Sequence, residues 1–168
     1  MKKIIAIAIL IHVLTEASGQ DVQRSIGIGL QATMPTFGIS AKYAITPNHM
    51  VQATIAPFGG SSGLVSYSIN FYGGRYIYRF PANEESKAII DPYLFGGLGI
   101  TTFKYKLDGL IDVKGNSFLS YNVGGGLEWL ALKKIGVSAE VGYGKMSVLA
   151  GLGVRSLIYG IGFHYYVK

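Results

Sequence analysis

The sequence contains no cysteine and few charged residues, which make up 14% of its 168 positions. Without cysteine the protein has no disulfide framework, no thiolate metal site, no thiol nucleophile and no attachment point for a lipoprotein anchor. Soluble domains carry about 25% charged residues, so this chain lacks the charge that a water-exposed surface needs. It is nevertheless 49% hydrophobic, which indicates that much of its apolar surface meets something other than water.

Long hydrophobic runs are also missing. After residue 20 no run reaches the length of about 18 apolar residues that a transmembrane helix needs. The longest uncharged stretch, Tyr43 to Gly74, is interrupted by Pro47 and Pro57 and by several glycines and serines. An apolar composition without an apolar helix is typical of a transmembrane β-barrel, in which only alternate residues face lipid.

The formal charge of +6 raises the question of nucleic-acid binding. Lysine and arginine are scattered along the chain, however, and form no basic stripe interleaved with stacking aromatics. The sequence therefore predicts no nucleic-acid partner.

The N-terminus has the three parts of a secretory signal peptide. Met1-Lys2-Lys3 is basic, Ile4 to Leu14 is apolar, and Ala17-Ser18-Gly19 supplies the small residues of a cleavage site. The apolar part is too short to span a bilayer and includes His12. We expect a signal peptide over residues 1–19, cleavage after Gly19, and one mature domain over residues 20–168.

Beyond Gln20 the dominant pattern is alternation with a period of two, in segments of about the ten residues that a tilted membrane-spanning strand needs. The pattern predicts an all-β, antiparallel up-and-down transmembrane barrel of about eight strands. The segments are Arg24–Ala32, Phe37–Ile45, Val51–Ala56, Leu64–Phe80, Tyr93–Tyr105, Phe118–Trp129, Val137–Gly144 and Gly160–Val167.

In two segments the apolar residues do not all lie on one face of the strand. In the fourth, Val65 to Phe71 and Tyr76 to Phe80 place their apolar residues on opposite faces, which predicts a bulge at Gly73-Gly74. In the fifth, apolar residues occupy both phases and leave the facing open. The connections are predicted at Thr46–His49 (turn), Gly59–Gly63 (flexible loop), Pro81–Pro92 (turn-like), Lys106–Asn116 (loop) and Lys145–Ser156 (a loop or an extension of its neighbours).

The direction in which the apolar face points distinguishes a membrane barrel from a soluble lipocalin-like barrel, whose apolar face points inward. Here the non-apolar face consists mostly of glycine, serine, asparagine and alanine, which suit a narrow lumen better than a soluble exterior. The apolar face is therefore predicted to meet lipid. Four polar residues fall on the inward phase and predict a lumen salt-bridge network, with an ion path as the alternative: Lys42, Glu128, Glu140 and His164.

Aromatic residues lie near the predicted strand ends, where their rings favour the membrane interface. The ordinary β-propensity of tyrosine explains each position singly but their common placement less well. The predicted interface aromatics are Tyr43, Tyr76, Tyr78, Tyr93, Trp129, Tyr143 and Tyr165.

Two stretches carry a resemblance to a known family. Asp91-Pro92-Tyr93-Leu94-Phe95-Gly96-Gly97-Leu98-Gly99 and Asn122-Val123-Gly124-Gly125-Gly126-Leu127-Glu128 resemble consecutive strands of the small outer-membrane barrels that include the OmpA barrel domain, OmpX, OmpW and "porin-family" barrels. The resemblance covers the whole mature chain and implies a location in the outer membrane, with lipid and the barrel-insertion machinery as partners. Family barrels usually end on an aromatic residue, whereas this chain ends Tyr165-Tyr166-Val167-Lys168.

The sequence favours a non-enzymatic, monomeric barrel with a structural or surface-interaction role, its outer loops meeting an extracellular partner. The alternative is a small channel or carrier for apolar or small solutes, as the resemblance to OmpW-like barrels suggests. A lipid A-modifying enzyme is disfavoured, because the pairing of His and Ser two residues apart that the resemblance implies for a deacylase is missing. No catalytic residue, metal ligand or cofactor is predicted.

Overall fold

The computed structural model describes residues 26–33, 36–62, 65–80, 89–107, 111–132, 134–149 and 152–167. These residues form eight antiparallel strands, each paired with its neighbour in sequence, and β8 pairs with β1 to close the sheet. The predicted signal peptide and its cleavage site lie outside the described residues. The strands are β1 (Ile26–Thr33), β2 (Thr36–Ala44), β3 (His49–Ser62), β4 (Val65–Arg79), β5 (Ile89–Leu107), β6 (Ile111–Ala131), β7 (Ile135–Leu149) and β8 (Leu152–Val167).

The closed, antiparallel, eight-stranded barrel confirms the predicted fold class. Among the described residues there is no helix long and apolar enough to cross a membrane.

The residues of the wall alternate between an apolar outer face and a buried inner face. Ile28 and Ile161 are 56% and 66% exposed, whereas Ser40 and His164 on the inward phase are fully buried. This follows from strand geometry, because successive side chains point to opposite faces of a sheet. The predicted facing of strands 1, 2, 3, 6, 7 and 8 is confirmed by this burial pattern.

The strands end at similar levels at one end of the barrel and at different levels at the other end. We call the end that holds Ile26 and Val167 the lower end, and the opposite end the upper end. At the upper end β1 and β2, of 8 and 9 residues, are much shorter than β5 and β6, of 19 and 21 residues. The wall from β3 to β8 therefore rises above the β1–β2 hairpin.

Three predicted connections are wrong in part, because the strands run further than local pattern indicates. Residues 59–62 of the predicted flexible loop belong to β3, residues 89–92 of the turn-like segment belong to β5, and residues 111–116 of the predicted loop belong to β6. Of the segment Lys145–Ser156, residues 145–149 extend β7 and residues 152–156 extend β8. Pairing with a neighbouring strand satisfies the backbone of these residues even where glycine and polar side chains weaken the local signal.

The predicted bulge at Gly73-Gly74 is also wrong. The register of β4 runs unbroken through both glycines against β3 and against β5. The register shifts instead between Phe103 and Tyr105, in the β5–β6 pair, and in the β7–β8 pair near the upper end.

What changes along β4 is the face that carries the apolar residues. Below Gly73 the apolar residues Tyr76 and Tyr78 lie on the outward phase, whereas above it Ile69 and Phe71 share the inward phase of Arg75. On β5 the outward positions likewise change from Leu94 and Leu98 to threonine and lysine. A wall that meets hydrocarbon below and water above needs this inversion, and no bulge is required to produce it.

Candidate functional site in the barrel lumen

Glu140 is the centre of the first polar cluster in the lumen. Its carboxylate accepts two hydrogen bonds from the Arg75 guanidinium, with Nη1 2.8 Å from Oε2 and Nη2 3.0 Å from Oε1. The Tyr93 hydroxyl donates to Oε1 at 2.7 Å, and Gln31 Nε2 donates to Oε2 at 3.2 Å. All four side chains are buried, so each of the ionised groups depends on its protein partners for the hydrogen bonds it lost from water.

Glu128 is the centre of the second polar cluster, which lies closer to the lower end. Lys42 Nζ lies 2.7 Å from Glu128 Oε1, and both side chains are 2% exposed. The Tyr166 hydroxyl lies 2.9 Å from Oε1 and 2.8 Å from Oε2. The buried carboxylate is thus matched with one cation and one hydroxyl donor.

A chain of neutral groups leads from the first cluster to His164. Arg75 Nη2 donates to Gln52 Oε1, and Gln52 Nε2 donates to Ser40 Oγ, both at 2.5 Å. His164 Nε2 lies 3.0 Å from Ser40 Oγ. This chain of hydrogen bonds connects the Arg75–Glu140 ion pair to His164.

The structure places all four of the predicted lumen residues inside the barrel, but they bind to different partners and do not form one network. Lys42 pairs with Glu128, whereas Glu140 pairs with Arg75 and makes no hydrogen bond with His164 among the described contacts. No group of three His, Asp or Glu side chains that could hold a metal ion occurs in the described part of the chain.

The contact between Ser40 and His164 lies in the closed interior of the barrel. Both side chains are fully buried, and His164 Nδ1 has no hydrogen-bond partner in the described structure. A nucleophile activated by histidine needs substrate access and, usually, a third group that orients the imidazole. The arrangement is better suited to filling the lumen.

Tyr93 is a correction to the predicted interface aromatics, because its ring lies inside the barrel and is 3% exposed. It pairs in register with Gly126, where an added Cβ would lie 2.6 Å from the ring atom Cζ. The glycine on β6 therefore makes room for the ring. The sequence-based prediction did not include Tyr93, Arg75, Gln52, Gln31 or Tyr166 in the lumen network. The reason is that the register between strands cannot be read from one strand.

The other six predicted aromatics lie on the outward phase of their strands. Five of them, Tyr43, Tyr76, Tyr78, Trp129 and Tyr165, lie within four residues of a turn or strand end at the lower end. Near that end His49 makes a hydrogen bond through Nδ1 with the Tyr76 hydroxyl, and its ring centroid is 5.3 Å from that of Tyr78. Tyr143 lies higher, and its outward neighbours at comparable height on other strands are Tyr72, Tyr121 and Tyr159.

The hydrogen bond from Tyr93 to Glu140 gives a first prediction. Tyr93→Phe should lower the free energy of unfolding by about 1.5–2 kcal/mol, because a buried hydrogen bond to a charged group is lost. The measurement is denaturant unfolding of the folded barrel in lipid vesicles. Tyr143→Phe is the matched control, since its exposed hydroxyl contacts no lumen carboxylate, and it should change stability by less than about 0.5 kcal/mol. Equal effects of the two substitutions would contradict the assignment.

Comparison with solved structures identifies the same architecture elsewhere. The N-terminal β-barrel domain of Pseudomonas aeruginosa OprF matches over 85% of this chain and 98% of its own, with 18% sequence identity and a TM-score of 0.56. Neisserial surface protein A matches over 84% of this chain and 93% of its own, with 17% identity and a TM-score of 0.56. Both are small eight-stranded outer-membrane barrels, and the chain has their fold.

Comparison at the sequence level adds nothing to this. No protein-family model matches the chain, and no curated protein sequence matches it. The assignment of the lumen residues therefore depends on the geometry of this barrel alone.

Proposed function

We propose that the chain is an integral outer-membrane barrel that acts as a monomeric, non-enzymatic structural or surface-interaction protein. The observation that carries this proposal is the outward face of the lower wall. Large apolar side chains on all eight strands are exposed there, including Ile39, Leu98, Val123 and Ile161 at 58–66%. A soluble protein rarely exposes a continuous apolar band of this extent, whereas lipid requires one.

Aromatic residues border this apolar band at two levels, a lower one and an upper one. Trp129 belongs to the lower level and Tyr121 to the upper level of the same strand, β6. With a rise of about 3.3 Å per residue and a strand tilt of about 40°, they are separated by about 20 Å along the barrel axis. This is close to the apolar height of about 25 Å in outer-membrane barrels, and it supports a membrane interface at each level.

The wall above the upper aromatic level supports a role in surface interaction. Residues 56–62 of β3 have no β2 partner, and residues 152–159 of β8 have no β1 partner, within the described pairings. Strand edges with free backbone donors and acceptors are able to pair with an extended segment of another protein. We place the partner-binding surface on these upper hairpins, outside the cell, with the lower end in the periplasm.

The lumen favours this role over that of an open channel. In the lower half, Met50, Ile77, Leu130 and the two ion-pair clusters are buried and fill the interior. An eight-stranded barrel has an interior just wide enough for its side chains. A continuous water path through the described lower lumen would have to displace buried, paired charges.

The absence of cysteine from the chain allows a direct test of placement. Ser61→Cys is at an exposed position of an upper hairpin, and Leu132→Cys is in a lower turn, where the side chain is 83% exposed. On intact cells a membrane-impermeant maleimide should label Ser61→Cys only, and it should label both variants after the outer membrane is opened. The parent chain, without a thiol, is the control.

The gel migration of the outer-membrane fraction provides the second part of the test. The folded barrel should resist detergent unfolding and shift its migration only after boiling. A protein found in the soluble fraction without a heat-dependent shift would contradict the membrane placement and favour an exported, ligand-binding barrel. Labelling of Leu132→Cys alone on intact cells would reverse the proposed orientation.

A further inference from the structure

The upper lumen contains a cavity of about 70 Å³ directly above the Arg75 layer. The space exists because β5 presents Gly97 and Gly99 to the lumen, opposite Asn122 and Ser120 of β6. A cavity of this size has room for a few water molecules or for one small organic molecule. It lies above the two ion-pair clusters, and Gln31 and Arg75 of the first cluster form part of its lining.

The polar side of the cavity has hydrogen-bonding groups without partners. Asn122 Oδ1 and Ser120 Oγ are buried and have no hydrogen-bond partner in the described structure. Ser120 is 7% exposed. Buried polar groups normally find a partner, because leaving one unmade costs free energy. Asn122 Oδ1 is an acceptor only, so the missing partner at this atom is a donor.

The charge at the bottom of the cavity is already balanced. Arg75 lines the cavity, but both of its terminal nitrogens bond to Glu140. The other cation of the lining, Lys145, lies on the outward phase of β7, because it pairs in register with the outward-facing Tyr121. The floor of the cavity therefore offers no surplus charge to compensate an ion, and a charged ligand would lose its hydration there without an equivalent partner. This favours an uncharged ligand.

Another part of the cavity lining is apolar. An added Cβ at Gly73 or at Gly99 would meet the Phe71 ring at 2.6 Å, so this ring lies flat against the glycine backbone and borders the cavity. Ile158 is a further apolar residue of the lining. Above them the inward phase of the wall continues with apolar side chains, namely Ile69, Phe103 and Phe118.

We propose that this cavity is a binding site for a small, neutral, amphipathic molecule. A hydroxyl or amide group of the ligand donates to Asn122 Oδ1 and bonds with Ser120 Oγ. The apolar body of the ligand lies against Phe71 and Ile158 and extends towards the apolar upper lumen. The proposal goes beyond the surface role and depends only on the closed barrel, so its failure would leave the cysteine-labelling test unaffected.

The test uses the folded barrel in lipid nanodiscs, because detergent would compete for an apolar site. The probe is 4-fluorophenol, followed by fluorine NMR, with empty nanodiscs to subtract partition into lipid. We expect a saturable shift for 4-fluorophenol, and much weaker binding of fluorobenzene, which has no donor, and of 4-fluorobenzoate, which is charged.

Two variants test the polar contacts, with a third as control. Asn122→Leu should weaken 4-fluorophenol binding about tenfold, and Ser120→Ala about fivefold, as expected for the loss of one hydrogen bond each. Val123→Ala, on the outward face of the same strand, should bind like the parent. Heat-dependent gel migration verifies that each variant is folded, and Ser120→Ala carries the test if Asn122→Leu does not fold.

Three results would overturn the proposal. The lack of any saturable shift beyond that of empty nanodiscs would mean that the cavity holds water only. Equal binding of fluorobenzene and 4-fluorophenol would mean that the polar groups recognise nothing. Unchanged binding in the folded Asn122 and Ser120 variants would place the probe elsewhere.

Discussion

Glu140→Gln should cost about 3–5 kcal/mol of the free energy of unfolding, although it changes the shape of the side chain very little. The substitution keeps an acceptor for Tyr93 but removes the only carboxylate bonded to Arg75 in the described structure. The Arg75 guanidinium then remains buried without a countercharge, which is the costly way to break a buried ion pair. Urea unfolding in lipid vesicles, followed through the single tryptophan, Trp129, measures the loss.

The double variant Arg75→Met with Glu140→Gln is the matched control. Removing both charges also removes the need to compensate one of them, so the double variant should recover more than half of the loss. A loss below about 1 kcal/mol in the single variant would mean that water in the lumen screens Arg75. A double variant as unstable as the single would assign the effect to packing rather than to charge.

Val123→Arg should cost about 1–2 kcal/mol in the same measurement. Val123 is 58% exposed on the outer face and lies between the two aromatic levels of β6. An arginine on the lipid face of a barrel costs about 2–4 kcal/mol at the midplane of the bilayer and less towards an interface, and Val123 lies two residues below the upper aromatic Tyr121. In a soluble barrel the same substitution on an exposed position would be nearly neutral, so this variant distinguishes lipid from water at the lower wall.

Ser61→Arg is the matched control for the inversion of the apolar face. Ser61 is exposed on β3, above the upper aromatic level, where the outward positions are polar. We expect a change within about 0.5 kcal/mol, as for most surface substitutions in water. A penalty similar to that of Val123→Arg would place the upper wall inside the membrane, and two neutral substitutions would remove lipid from both levels.

The case of β4 shows how far a local pattern can be read. The apolar residues change phase at Gly73, and a bulge is the explanation available when the surroundings are assumed uniform along the strand. The register is unbroken, and the apolar residues move from the outward to the inward face instead. With Tyr76 and Tyr78 outward, Arg75 falls on the inward phase with or without a bulge, but nothing in β4 alone shows that it meets Glu140, and the predicted network left it out.

The sequence by itself determined the fold class, the strands and the facing of most of them. It also placed Lys42, Glu128, Glu140 and His164 on the inward phase. These features depend on a period of two along a covalently continuous strand, and adjacent residues in a strand have no choice but to point to opposite faces.

Only the tertiary structure decided which inward residues meet. The pairing of Glu140 with Arg75, the lumen position of Tyr93 opposite Gly126, and the cavity beside Gly97 and Gly99 all depend on register between strands far apart in sequence. Register is set by the closure of the whole barrel, since each strand must satisfy the backbone of two neighbours at once. A single strand carries the direction of each side chain but not its depth in the lumen or its partner.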